Sequence, residues 1–360
     1  MNHVIAGTRA QLIKMAPIMR EMRKQDIPYR FILLAQHTRT MADMMEGFGI
    51  PPPDIIVGAR KDDIVSTLQM VLWAPKVLAE GWWKRNKLFD RSEPGVALVH
   101  GDAPPMLLGA LLAKASGLRV VHVEAGLRSF NLRQPFPEEL IRVLAAKLGL
   151  LDTYICQDEQ AVENLKKMGK TGTLIRHNTI LDAIRLAQNG TKDSEPPSRP
   201  FALASIHRFE TLKDRNQLQT VCEIIQKAAE KLQVRFILHP PTEKVLQQTG
   251  WDKKLAATEG ILMEPRKSFF DFARLMRDAD YIMTDGGSNQ EECYYLGKPC
   301  LILRQTTERV EGLGENAVLS EFDPGAIAHF LEHYTDFRRE PLIDQFSPSR
   351  EICEWLSRHA

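Results

Sequence analysis

Acidic and basic side chains crowd one short segment, HVEAGLRSFNLRQPFPEELIR, residues 122–142, which holds Glu124, Arg128, Arg133, Glu138, Glu139 and Arg142. It directly continues an apolar run, GLRVV, that reads as a buried strand. A strand that runs straight into charge, Gly and two Pro is leaving its sheet. Carboxylates clustered beside guanidiniums are what general acid–base chemistry needs, because differing surroundings drive their pKa values apart. Asp102, at the end of another strand-like run, VHGD, belongs to the same chemical type. The plain alternatives are a solvated loop for the first segment and a helix N-cap for Asp102.

Three further clusters carry anion-binding or proton-moving groups. GTRAQLIKMAP, residues 7–17, places a Gly-Thr-Arg turn before a helix, so that free N–H groups, Arg9 and Lys14 form a seat for an anion. It lacks GxGxxG, so no dinucleotide fingerprint is present. In the second half, ASIHRFE supplies His207 and Arg208, ILHPP supplies His239, and TDGGSNQEE opens a helix with Gly286, Gly287 and Ser288. Backbone N–H groups at such a start can wrap a diphosphate, with Ser288 as an extra donor. TTERVEG then adds Glu308 and Arg309. A lone His at a strand end is usually structural; two beside a phosphate-type loop favour function.

The elements that must position these groups alternate. Strand-like HVIAGT, YRFILLAQ, VALVHGD, LRVVHVEAG and LDTYICQD are interleaved with helix-patterned runs such as AQLIKMAPIMREMRKQ and MLLGALLAKASG. That pattern predicts βαβ units and a parallel sheet. AQNGTKDSEPPSRP, residues 187–200, is polar and Pro-rich and reads as a linker. The alternation then restarts with FALASIH, VRFILHP, DYIMTDG and KPCLIL. Two Rossmann-like domains in tandem, 1–180 and 201–345, are expected to face a central cleft with the carboxyl ends of their sheets.

Composition bounds the function. The 360 residues suit two domains, and 44% hydrophobic with 26% charged residues is ordinary globular usage. A net charge of +1 argues for no nucleic-acid partner, so any bound anion must be met by local arginines. Cys156, Cys222, Cys293, Cys300 and Cys353 are scattered and never form CxxC, which excludes the usual zinc and disulfide frameworks and predicts a reducing, cytoplasmic setting. No run reaches membrane-spanning length, so no membrane insertion is expected.

Taken in order, GTRAQLIKMAP, VHGD, HVEAGLR, PFPEELIR, HNTILDAI, GGSNQEE and LGKPCLILRQTTER resemble the UDP-N-acetylglucosamine 2-epimerases, from residue 5 to about residue 318. The resemblance implies the GT-B-like architecture, no metal, no nicotinamide or other cofactor, a UDP-sugar substrate, a homodimer, and a C-terminal helix, 346–360, that packs back on the first domain. It implies acid–base roles for Asp102, Glu124 and Glu138, with His207 close to the reacting sugar. Arg9, Lys14, Gly286, Gly287, Ser288 and Arg309 would contact the diphosphate and uridine. Glu292 would hold the ribose, and the loop ending near Phe272 would read the uracil. Arg142, Asn178 and His239 would complete the substrate site.

The chain differs from the family pattern at several points. GGS replaces the usual Ser-Gly-Gly, APPM replaces a Thr run after Gly-Asp, His177 replaces a Gly before Asn178, and RKSFFD carries one extra residue. The likeness to the second, regulatory substrate site around AQHTRTM and GARKDD is poor. Other readings have their own signatures. A retaining glycosyltransferase would carry two glutamates eight positions apart, but the positions eight beyond Glu291 and Glu292 hold Pro299 and Cys300. A hydrolysing epimerase usually departs from IKMAP, which this chain keeps, and a UDP-sugar sensor has no need of three acid–base carboxylates.

Overall fold

The computed structural model describes residues 1–36, 41–60, 64, 67–90, 95–131, 137–189 and 199–359. Arg133 and residues 190–198 of the expected linker lie outside the described residues. The chain divides into two compact units, Met1–Leu186 with Phe346–Ala360, and Ala187–Gln345.

The first unit holds strands β1 (Asn2–Ala6), β2 (Tyr29–Leu34), β3 (Ile55–Val57), β4 (Val96–His100), β5 (Arg119–Val123), β6 (Thr153–Cys156) and β7 (Gly172–Leu174). They form one parallel sheet in the order β3-β2-β1-β4-β5-β6-β7. The second holds β8 (Phe201–Ile206), β9 (Gln233–Leu238), β10 (Ile261–Pro265), β11 (Tyr281–Thr284), β12 (Cys300–Ile302) and β13 (Ala317–Leu319), ordered β10-β9-β8-β11-β12-β13, again all parallel. β1, β4 and β8 are buried along their whole length, as strands covered by helices on both faces must be.

In both sheets the order reverses at one place, between β1 and β4 and between β8 and β11. Loops leaving adjacent strands diverge there and open the crevice in which α/β sheets bind ligands. The first turn is built tightly. A Cβ at Gly7 would lie 2.3 Å from the Leu34 carbonyl oxygen and 2.5 Å from Pro105, so only Gly fits.

The linker starts later than composition suggests, because the helix Ile180–Asn189 runs on past 187. Its early residues anchor the returning chain. Asp182 accepts from the Ser347 hydroxyl at 3.1 Å and from the Ser349 N–H at 2.7 Å, and Arg185 donates to the Phe346 carbonyl oxygen. The final helix, Pro348–His359, then buries Ile352, Cys353 and Leu356, and packs on the helix Arg9–Lys24. Among the described residues no helix is long and apolar enough to cross a membrane.

Candidate active site

At the switch point of the first unit, β1, β4 and β5 end side by side and deliver Thr8, Asp102 and Glu124. The start of the helix Arg9–Lys24 differs from the expected open anion seat. Thr8 and Gln11 form a capping box: Gln11 Oε1 accepts from the Gly7 and Thr8 N–H groups at 2.9 and 3.2 Å, and Thr8 Oγ1 accepts from the Gln11 N–H. The Thr-x-x-Gln spacing thus satisfies donors that would otherwise face a ligand. Arg9 is half-buried beside it.

Glu124 follows β5 with φ +62°. A non-glycine residue in this left-handed region stores about 1–3 kcal/mol that its surroundings must offset. Lys14 helps to do so, since its Nζ stands 2.7 Å from each carboxylate oxygen of Glu124, and both side chains are buried. Asp102 does not cap the following helix, whose N-cap is Ala103; it accepts instead from Arg142 Nη2. Glu138 is the first residue of the helix Glu138–Lys147 and is half-buried.

A fourth carboxylate joins this cluster. Glu139 is fully buried. It accepts from Arg128 Nε at 2.5 Å, Arg142 Nη1 at 3.2 Å and the Ser129 N–H at 3.1 Å. Burial alone would raise its pKa, but the Ser129 N–H and the two guanidiniums hold it below the usual carboxylate range. Arg142 therefore bridges Glu139 and Asp102 and fixes where Asp102 points. No motif singles out Glu139; the Glu139–Arg142 spacing of three on a helix was its one local signal.

The switch point of the second unit gathers His207, Arg208, His239 and the start of the helix Gly287–Leu296. Asp285, buried after β11, accepts from the N–H groups of His207 and Arg208, both at 3.0 Å, and ties the two strand ends together. His207 and His239 stack with ring centroids 4.7 Å apart. Burial, with Arg208 and Arg266 nearby, outweighs Asp285 and lowers the His207 pKa, so its ring is neutral near pH 7. Gly286 caps the helix, and a Cβ there would meet His207 Cε1 at 2.7 Å. Ser288 is exposed, whereas Glu292 is buried and accepts from Asn289 Nδ2 at 2.9 Å.

The loop after β12 closes over this helix start. Arg309 Nη1 pairs with the buried Glu291 at 2.8 Å. Gln290 Nε2 donates to the carbonyl oxygens of Arg309 and Glu311 at 3.2 and 2.9 Å. Glu308 bridges Arg208 and Arg304 at 2.7 and 2.9 Å. Burial would raise the Glu308 pKa, but those two guanidiniums bring it down to about 2.

Two further expected site residues lie at helix starts. The loop before Phe272 ends at Ser268, which caps the helix Phe269–Asp278, so Phe272 lies in the first turn of that helix and its N–H donates to the Ser268 carbonyl oxygen. Asn178 is buried, and its amide donates to Gln157 Oε1 at 2.8 Å and caps the Ile180 N–H at 3.0 Å. His177 takes up φ +70° where the family pattern has Gly, and its ring rests on Phe346 at 4.3 Å.

A GT-B-like α/β protein results, with a cluster of carboxylates and cations at one switch point and a glycine helix start flanked by arginines at the other. The profile of the UDP-N-acetylglucosamine 2-epimerase family matches residues 20–348, and the chain belongs to that family. It is 31% identical to the UDP-N-acetylglucosamine 2-epimerase of Bacillus subtilis over 319 residues, covering 86% of this chain and 80% of that one. It is 30% identical to the enzyme of that name from Methanocaldococcus jannaschii over 326 residues, covering 86% and 84%. A crystal structure of the M. jannaschii epimerase with UDP-GlcNAc and UDP superimposes with TM-score 0.78 at 26% identity, covering 99% of each chain.

Proposed function

We propose that the protein epimerises C2 of UDP-N-acetylglucosamine, interconverting it with UDP-N-acetylmannosamine, or acts likewise on a modified UDP-N-acetylhexosamine. Family membership supports the substrate class. The observation that carries the mechanism is Glu124, held in a strained backbone at a strand end against Lys14, with Asp102 just past the end of the adjacent strand.

The C2 hydrogen of such a sugar is not next to a carbonyl, so its direct removal is too costly. If the C1–O bond to UDP breaks ahead of it, positive charge builds at C1 and the C2 proton becomes acidic. A carboxylate takes that proton, the C2–H electrons form a double bond between C1 and C2 to give the 2-acetamido glycal, and UDP departs with the C1–O electrons. Return of a proton to the opposite face of C2, with UDP re-adding at C1, inverts the centre. Two faces require two groups, drawn from Asp102, Glu124 and Glu138, each contributing about 10²–10⁴-fold in rate.

UDP leaves as an anion, so cations and N–H groups must meet the diphosphate. Arg9, Arg309 and the start at Gly286, Gly287 and Ser288 fit that task, Glu292 the ribose, and neutral His207 the sugar. Lys14, Arg142, Asn178, His239 and Phe272 would support the substrate, Asn178 and His239 from turns just before helices and Phe272 from the first turn of one. We assign a homodimer working in the cytoplasm. Leu72, Pro75, Ala79, Trp82 and Trp83 form an exposed apolar face on the helix Thr67–Trp83, which a second copy could cover.

An NMR time course with UDP-N-acetylglucosamine in deuterium oxide tests the reading. Deuterium should enter C2 of both sugars. Product with its C2 hydrogen fully retained would count against elimination with proton exchange, and release of free sugar would mark a hydrolase.

A further inference from the structure

Parallel pairing of β4 with β5 sets Val99 beside His122 and His100 beside Val123. Each strand carries a buried imidazole, 3% and 4% exposed. Each ring reaches the turn that follows the other strand. His100 Nε2, from β4, lies 3.0 Å from Glu124 Oε2, just after β5. His122 Nε2, from β5, lies 2.6 Å from the carbonyl oxygen of Gly101, just after β4 and one residue before Asp102.

We propose that His100 and His122 are positioning residues, each holding the carboxylate turn that ends the neighbouring strand. The proposal rests on Glu124 and Asp102 acting as acid–base groups. Both turns need support, since Glu124 and Gly101 sit at φ +62° and +64°. A buried imidazole in a valine strand is itself costly unless its polar atoms find partners.

The two rings do different work. Lys14 from the N-terminal helix and His100 from β4 face the Glu124 carboxylate. Lys14 is a point charge on a flexible stem and sets direction poorly. The rigid, buried His100 ring, 3.0 Å from Oε2, limits how far the carboxylate can turn. For His122, burial pushes the pKa down to about 4, so the ring is neutral and has one N–H. A carbonyl oxygen only accepts, so Nε2 carries that proton and donates to Gly101. This orients the Gly101–Asp102 peptide and aims Asp102 at Arg142. Neither ring needs to touch substrate.

The test compares His100→Leu and His122→Leu with His100→Gln and His122→Gln, whose amides keep a donor near the Nε2 position. Each Leu variant should lose about 10–100-fold in kcat, the scale of a misplaced catalytic group, with KM and UDP affinity within about threefold. Each Gln variant should recover most of kcat. If His122→Leu does not fold, His122→Asn, too short to reach Gly101, replaces it. Carboxyl carbon-13 titration of Glu124 gives a readout free of turnover. Replacing a polar ring against the carboxylate by an apolar side chain disfavours the charged form, so the Glu124 transition should move up in His100→Leu and stay put in His122→Leu.

An unmoved Glu124 titration in His100→Leu, or undiminished kcat in both Leu variants, would overturn the proposal. Wild-type protein that forms no UDP-N-acetylmannosamine sinks the epimerase reading separately, and the carboxyl titration still decides whether His100 holds Glu124.

Discussion

Lys14 Nζ bisects the Glu124 carboxylate, 2.7 Å from either oxygen, and joins the first helix to the end of β5. Glu124→Gln nearly preserves this shape but cannot take up a proton. Its kcat should collapse while UDP affinity stays within a few fold. Arg309→Ala should do the reverse and weaken UDP by about 1.5–3 kcal/mol, the worth of a hydrogen bond to a charged group. Calorimetric UDP titration beside the epimerisation rate checks both; normal turnover by Glu124→Gln would remove that residue from the chemistry.

Glu139 should matter first for stability. Glu139→Leu leaves Arg128 and Arg142 without their shared buried counter-charge. Breaking one side of a buried ion pair costs about 3–5 kcal/mol, so the first unit should unfold at clearly lower urea concentration. An unchanged midpoint would mean that water replaces the carboxylate without penalty.

Acid should weaken the first unit before carboxylates titrate. Burial, the leading cause, pushes both His3 and His122 down to about 4. Unfolded imidazole, near its ordinary 6.5, binds a proton that the folded ring refuses. Their contribution is whole above pH 6.5 and is lost as pH falls toward 4, by about 1.4 kcal/mol per pH unit for each ring. Denaturation midpoints at pH 7, 6 and 5 should fall accordingly, and His3→Gln should flatten the slope.

Gly286→Ala tests the second switch point without touching a charge. The new methyl would sit 2.7 Å from His207 Cε1 and 3.0 Å from Asn289 Oδ1, so the ring must swing away. Turnover should drop at least about 10-fold, as a small misplacement at a reacting centre does. A chemical-shift change at His207 in the variant would report the displacement directly.

The exposed face of the helix Thr67–Trp83 offers a test of the proposed homodimer. Trp83 is 88% exposed and Leu72 68%. A Leu72→Glu, Trp83→Glu double variant should sediment as a monomer if this face joins two copies. A dimer of undiminished stability would place the interface elsewhere.

Strand and helix order was legible in the chain because apolar runs and Gly, Asp and Pro stops recur with a βαβ period. The ordered motifs carried the family as well. Local sequence also marked Asp102 and Glu124 as strand-end carboxylates, since both follow an apolar run directly. Partners were another matter. Lys14 and Glu124 are 110 positions apart, and Arg142 and Asp102 are 40 apart, so only the folded sheet brings them together. Capping also escaped notice: Gln11 fills the turn that Gly7 and Thr8 seemed to leave open, because a side chain three residues on competes for the same N–H groups. Phe272 was displaced from its loop by Ser268, a cap that starts the helix early. Composition alone could not show that Glu139, rather than its neighbour, is the carboxylate turned fully inward. A helix rotates about 100° per residue, so which of two adjacent glutamates is buried depends on how tertiary packing sets the helix face.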